Sequence, residues 1–206
     1  MVGEVLVEAR NVVKAFPGVW EHLILDHINF DVRAGEVHAL LGENGAGKTV
    51  LANILSGFYT LSSGQILVRG KNVRFKSPLD AIRHGIGMVH QEFTLAPPLT
   101  VLENITLTLR KNNPLSYPVK NVAQKAQTLS ERYGLKIDLD RTVEQLSLGE
   151  RQRVEILKVL YWEPSILILD EPTSVLTHEE IGELFKILRR MAEDGKGVVF
   201  ITHRIE

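Results

Sequence analysis

The chain has 206 residues, a formal net charge of −1 and no cysteine, with 44% hydrophobic and 24% charged residues. That size and balance describe one large domain, or a domain with a small subdomain, of ordinary globular type. They exclude disulfide scaffolds, thiolate metal sites and cysteine nucleophiles, and they give no global charge for holding nucleic acid or an anionic membrane surface.

Met1-Val2-Gly3-Glu4-Val5-Leu6-Val7-Glu8 lacks the basic segment and long apolar run of a signal peptide. No stretch approaches the ~20 apolar residues that span a bilayer, so work at a membrane would need other subunits to cross it. Residues 4–9 and 23–33 read as strands, because Val5, Val7 and Ala9, then Ile28, Phe30 and Val32, alternate with polar residues. Between them Phe16-Pro17-Gly18-Val19-Trp20 is a loop whose aromatics suit either an adenine ring or the core. Ala34-Gly35 turns into Val37-His38-Ala39-Leu40-Leu41, a short apolar run read as a buried strand. Gly42-Glu43-Asn44-Gly45-Ala46-Gly47-Lys48-Thr49 follows, and Thr49 to Leu55 reads as a helix stopped by Gly57. The eight residues match the P-loop pattern of Gly, four residues, Gly-Lys-Ser/Thr, and strand, loop, helix is the context it needs. Glycines let backbone N–H groups turn inward around phosphate oxygens, and the helix N-terminus adds positive partial charge. Lys48 is placed to reach the β- and γ-phosphates, and the Thr49 hydroxyl to sit on Mg²⁺.

Gln65-Ile66-Leu67-Val68 and Asn72-Val73-Arg74-Phe75 form a further predicted hairpin, and Ser77 caps a short helix that Pro78 opens and Gly85 ends. Gly87-Met88-Val89-His90 is a short strand ending at Gln91, and Thr100-Val101-Leu102-Glu103 is a capping box. From about Lys111 to Gln145 the character changes: Pro114 and Pro118 break the chain, then Val122, Ala126, Leu129 and Tyr133 recur at helical spacing up to Gly134. This reads as a helical insertion between two halves of an α/β core. Ser147-Leu148-Gly149-Glu150 is a second capping box, opening a long helix. Ile166-Leu167-Ile168-Leu169 is a strand fit to be buried on both faces, ending in Asp170-Glu171-Pro172. Thr177 and Glu180 box the next helix, and Gly197-Val198-Val199-Phe200-Ile201 is a last buried strand ending in Thr202-His203. Strands alternating with helices predict a mostly parallel sheet flanked by helices, with ligands at the carboxyl ends of the strands. Gly42, Gln91, Asp170 and His203 all fall at such ends, although they lie far apart in sequence.

Asp170 then stands where a carboxylate can bind Mg²⁺, and Glu171 where one can polarise the water that attacks a γ-phosphate. Gln91 can orient that water and join the metal shell, and His203 can donate to the γ-phosphate. His22, His27, His38, His84, His90 and His178 carry no such argument and read as solvated or structural. The Ser147 helix start is a potential second phosphate site, to be shared head-to-tail with another chain's P-loop. On capping alone, an ordinary well-capped helix explains it better.

Over essentially its whole length the chain resembles an ABC-transporter nucleotide-binding subunit. Leu146-Ser147-Leu148-Gly149-Glu150-Arg151-Gln152-Arg153 resembles the signature motif, Gln91 the Q-loop, Ile166 to Glu171 the Walker B strand with its catalytic glutamate, Ser174-Val175-Leu176-Thr177 the D-loop, His203 the switch histidine, and Phe16 the adenine-stacking aromatic. The resemblance implies an α/β P-loop NTPase fold with an N-terminal antiparallel β subdomain and a helical insertion. It implies one ABC ATPase domain over 1–206, with 1–110 and 147–206 as core and about 111–146 plus the start of the next helix as helical subdomain. It implies ATP with Mg²⁺, sandwiched between two ATPase domains. Catalysis would fall to Glu171, His203, Gln91 and Lys48, and the metal to Thr49, Gln91 and Asp170. Nucleotide contacts would come from Phe16, Gly42, Asn44, Gly45, Ala46, Gly47, Lys48, Thr49 and Val50, with Ser147, Gly149 and Glu150 closing the site across the interface.

The implied partners are transmembrane permease subunits, a second ATPase domain and, indirectly, an extracytoplasmic solute-binding protein, with no nucleic acid, at the cytoplasmic face of the membrane. A finer resemblance is to importers of simple sugars and nucleosides, through Phe16-Pro17-Gly18-Val19, Met88-Val89-His90-Gln91 and Arg153-Val154-Glu155-Ile156-Leu157-Lys158. Such importers carry two ATPase halves, and this chain resembles a truncated first half, stopping three residues after His203. It departs from the family pattern in Val50 for Ser or Thr, Leu148 for Gly, Thr177 for Asp, and a longer segment before the P-loop that makes Trp20 a rival adenine stacker. A soluble ABC-type ATPase acting on ribosomes or DNA would call for basic arms or large coils, and a monomeric P-loop kinase would not need the signature-like helix.

Overall fold

A computed structural model describes residues 3–16, 23–110 and 118–203. Two sheets divide the strands. The antiparallel one, in order β2-β1-β4-β5, is built from β1 (Val5–Lys14), β2 (Leu25–Arg33), β4 (Ser63–Val68) and β5 (Lys71–Val73). The other, in order β3-β8-β7-β6, is parallel throughout: β3 (Val37–Leu41), β6 (Ile86–Val89), β7 (Ile166–Asp170) and β8 (Gly197–Thr202). The helices are α1 (Lys48–Leu55), α2 (Pro78–Arg83), α3 (Val101–Arg110), α4 (Val119–Tyr133), α5 (Leu148–Leu160) and α6 (His178–Glu193). This is the predicted α/β P-loop architecture, a parallel sheet flanked by helices plus an antiparallel β subdomain.

β6, β7 and β8 are buried at every residue. Successive side chains on a strand point to opposite faces, and the two cores divide accordingly. Ile166, Ile168, Val199 and Ile201 pack with Leu51, Ile54 and Leu55 of α1 and with β1. Leu167, Leu169, Val198 and Phe200 pack with α5 and α6. The second core continues outward through Val101, Ile105 and Leu109 of α3 and Val122, Ala126 and Leu129 of α4. α3 therefore packs with the helical layer as well as adjoining the core strands.

β3 differs from the expectation of a buried strand. Among the described residues it is the edge of its sheet, bonded to β8 alone, and Val37, Ala39 and Leu41 on its outer face are exposed. An apolar run reports burial only if a neighbour covers it, and here one covers a single side. β5 likewise stops at Val73, while Phe75 leaves the strand and buries its ring.

The helix starts follow the predicted caps. Ser77 Oγ accepts from Asp80 N–H at 3.3 Å. Reciprocal boxes close α3 (Thr100 with Glu103), α5 (Ser147 with Glu150) and α6 (Thr177 with Glu180). α4 ends at Gly134 in the left-handed region, φ 71°. Two of the boxed ends dock on each other. A Cβ on Gly149 would come within 2.1 Å of Glu180 Oε1, so any larger residue there would have to displace the carboxylate that boxes α6.

Two leucines on α3 test the packing. Leu109 is 1% exposed and Leu107 54%. Leu109→Ala is expected to lower unfolding stability by about 2–5 kcal/mol, and Leu107→Ala by less than about 0.5 kcal/mol, in urea titrations followed by circular dichroism.

Candidate active site

The P-loop joins β3 to α1 at the carboxyl end of the parallel sheet. Gly47 is its pivot: it sits at φ 88°, and a Cβ there would meet Leu25 Cδ2 at 2.8 Å and the Ile24 carbonyl at 2.9 Å. α1 begins without a side-chain cap and without an acidic residue in its first turn, unlike α3, α5 and α6. Its first-turn N–H groups thus point at the cleft without competition from a capping oxygen. Lys48 folds back over the loop, Nζ donating to the carbonyls of Gly42 at 2.7 Å and Glu43 at 2.9 Å. An anion in the loop would offer that ammonium a charged acceptor in place of two neutral ones.

Ahead of the loop lies a cleft of about 450 Å³, lined by Ile24, Asn44, Gly45, Ala46, Gly47, Lys48, Thr49, Val50, Gln91, Glu171 and His203. Three separate strand ends reach it. β6 delivers Gln91 through His90, β7 delivers Asp170 and Glu171, and β8 delivers His203 through Thr202. Asp170 lies just behind the lining, 3% exposed, and its Oδ1 accepts from Thr49 Oγ1 at 3.3 Å. Burial pushes the Asp170 carboxyl above the usual aspartate range, against the smaller lowering from the Thr49 hydrogen bond.

Glu171 is the bend in the site. Its φ of 49° is left-handed, a conformation that costs a non-glycine residue about 1–3 kcal/mol. Its N–H still donates to Ile201 O at 3.0 Å, so the backbone keeps one ladder bond while the side chain turns out of the sheet. There Oε1 meets His203 Nδ1 at 2.8 Å. The carboxylate is 11% exposed and the imidazole 35%, so the pair sits at the cleft wall and not in open solvent.

The remaining predicted residues lie elsewhere. Phe16 is not part of the cleft lining. Its ring meets Tyr59 edge-on at 5.3 Å, with Lys14 Nζ 4.7 Å from its centroid. Trp20 lies outside the described residues. Ser147, Gly149 and Glu150 do not line the cleft either. Glu150 is engaged locally, Oε2 accepting from Ser147 N–H and Oε1 from Arg141, both at 2.7 Å. The backbone N–H of Ser147, with Arg141, holds its carboxyl below the usual range. Ile24 was not foreseen in the site. Alternation placed it inside a strand, whereas β2 starts one residue later and leaves Ile24 38% exposed at the cleft. His90, half-buried and edge-on to Phe58 at 4.7 Å, is held below the usual histidine range by burial.

Asp170 gives a stability prediction. Its folded pKa lies above the unfolded one, so the folded chain binds more protons and loses stability as pH rises through that interval. Asp170→Asn is expected to make the ligand-free chain more stable than wild type at pH 7. In urea titrations across pH, the gap should close as the pH falls below about 4, where Asp170 is protonated in both states.

The ABC transporter family profile matches residues 25–174. The nucleoside import ATP-binding protein NupA of Lactococcus lactis subsp. cremoris is 44% identical over 206 residues, covering 100% of this chain and 40% of that protein. The glucose import ATP-binding protein TsgD13 of Haloferax volcanii is 43% identical, covering 100% of this chain and 42% of that protein. The chain thus spans about two fifths of the length of these curated relatives. Among solved structures, the ADP conformation of MJ1267, an ATP-binding cassette of an ABC transporter, superposes with a TM-score of 0.86 at 26% identity, covering 98% of this chain and 82% of that one. A dimeric post-hydrolysis state of the cassette MJ0796 bound to ADP and Pi gives 0.80 at 27%, covering 97% and 89%. With a matching profile over well over half of its residues and relatives aligned along its full length, this chain belongs to the ABC transporter family.

Proposed function

We propose that the chain is the ATP-binding and ATP-hydrolysing part of an ABC importer, powering uptake of a simple sugar or nucleoside. It would work at the cytoplasmic face of the membrane with transmembrane permease subunits, a second ATPase domain and, indirectly, an extracytoplasmic solute-binding protein. Its described helices include none long and apolar enough to cross a membrane, so the crossing falls to partners. The observation that carries the reading is the convergence of Lys48, Thr49, Gln91, Glu171 and His203 on one cleft in front of an uncapped helix. The names of the relatives, import proteins for nucleosides and for glucose, support this substrate class.

The geometry supports the following division of roles. The loop N–H groups and Lys48 grip the β- and γ-phosphates, which replace the Gly42 and Glu43 carbonyls as partners of Nζ. Thr49 Oγ1 and Asp170 Oδ1 form a close pair of hard oxygen donors, one neutral and one a buried carboxylate, and this set fits Mg²⁺. When bound, the ion supplies charge neutralisation for the phosphates. Glu171 accepts the proton of the attacking water, and Gln91, which lines the same cleft, orients it. His203, fixed by its 2.8 Å contact to Glu171, donates to the γ-phosphate.

The Ser147 end of α5 lies off this chain's own cleft, and beside it Leu148 is 46% exposed. A second ATPase domain closing over the nucleotide would use both, which supports an ATP sandwich.

Glu171→Gln is expected to cut phosphate release by about 10²–10⁴-fold while ATP binding persists. In that background, light scattering should show the mass doubling when ATP is added. Wild-type turnover would remove Glu171 as the base. Leu148→Asp should abolish the doubling and leave ATP binding by the single chain intact; a doubling that survives it would place the interface elsewhere.

A further inference from the structure

Gln91 is the second residue of the loop that joins β6 to α3, and two buried polar anchors hold that loop. Glu155 of α5 accepts from the Thr94 backbone N–H, and the Thr94 hydroxyl lies 3.0 and 3.3 Å from its two carboxylate oxygens. Lys158, one turn along, donates to Thr94 Oγ1 at 3.0 Å and to Glu155 Oε2 at 3.1 Å. Glu155 is 5% exposed and Lys158 8%. Two residues further on, Asn104 of α3 takes Ala96 N–H at 2.7 Å and donates to Ala96 O at 3.1 Å.

A buried ion pair is a poor way to gain stability, because desolvation offsets most of the attraction and an apolar pair packs as well. Its use here lies in geometry. Outside α5, the hydrogen-bond partner shown for both charges is Thr94, three residues after Gln91. Resting on the hydrolysis reading above, we infer that Glu155 and Lys158 are positioning residues: by pinning Thr94 they fix where Gln91 stands in the cleft. α5 carries the Ser147 end at its start and this pin about 12 Å along its axis, at 1.5 Å per residue.

The test uses the full chain with Thr94→Val and Glu155→Gln, each alone and combined with Gln91→Ala. A fluorescent ATP analogue reads affinity, phosphate release reads kcat, and amide exchange by mass spectrometry reads residues 91–96. The expected result is exchange at least about 10-fold faster in that loop, ATP affinity within about two-fold, and kcat about 10-fold lower. Added to Gln91→Ala, either change should cost less than about two-fold more, because its effect passes through Gln91. A role confined to folding would multiply the losses in that background, and this outcome overturns the inference, as does an unchanged kcat or an unchanged loop exchange. Glu155→Gln leaves Lys158 without its counter-charge; if it fails to fold, Thr94→Val, which alters only the loop side, carries the same comparison. If the unmodified chain binds ATP but releases no phosphate, the hydrolysis reading falls and exchange alone decides the pin. Faster exchange confined to 91–96 then supports it, and a rise shared by all the helices overturns it.

Discussion

Burial of the parallel strands on both faces is the constraint from which the site follows. β7 and β8 have a core on each side, one held by α1 and one by α5 and α6. A polar side chain within either strand would lie in apolar packing without water, so the strands are Ile, Leu, Val and Phe until they run out. Polar side chains enter at the carboxyl ends, first the still-buried Asp170 and then, beyond the strands, Glu171 and His203. The parallel order β3-β8-β7-β6 aligns those ends with the P-loop after β3. Sequence-distant residues converge because the sheet permits polar chemistry in one place.

The parts of this arrangement that were legible in the sequence are those encoded locally. The P-loop is eight consecutive residues with its strand and helix beside it. The capping boxes at Thr100, Ser147 and Thr177 each lie within four residues and form as read. Other features depend on long-range packing and were not legible. Val37 to Leu41 is apolar, but nothing local says that β3 pairs with β8 alone among the described strands. Phe16 was read as a loop aromatic suited to an adenine ring or to the core, and its contacts with Tyr59 and Lys14, from the α1 exit and from β1, could not be read from its surroundings in the sequence. Glu155 and Lys158 carry charges that a helical wheel assigns to water. They face inward because Thr94, 61 residues before Glu155, meets them there. The compositional break read at Lys111 to Tyr117 lies outside the described residues, while packing draws α3, which precedes it, in with α4 and α5.

α5 and α6 show how a motif can be structural and functional together. Gly149 stands in the signature-like run, and its missing side chain is filled by the Glu180 carboxylate of the next helix's capping box. Glu180 in turn accepts from Thr177 N–H at 2.9 Å, so the start of α6 is ordered by the same carboxylate that touches α5. A glycine here serves helix docking within one chain, whatever its backbone offers to a second one. Thr177, where the family pattern has Asp, still supplies the cap oxygen that Glu180 N–H requires. The departure from pattern leaves the local architecture whole.

The cleft concentrates unfavourable terms that the cores around it must offset. Asp170 keeps a carboxyl buried against its preference for water, and Glu171 holds a left-handed backbone. Each would relax if the strand ends could shift. They are held by the ladder bond from Glu171 to Ile201 and by a β7 whose every residue is buried. Fixing groups before ligand arrives removes reorganisation from the reaction itself, which is where preorganised charge has its effect. Lys48 illustrates the complementary case. Its ammonium rests on two neutral carbonyls, a weaker arrangement than a phosphate would provide, so binding exchanges modest hydrogen bonds for charged ones without moving the loop that presents them. The sheet thus holds Asp170 and Glu171 through burial and a ladder bond, while the loop leaves the Lys48 ammonium on two neutral carbonyls that an anion would outcompete.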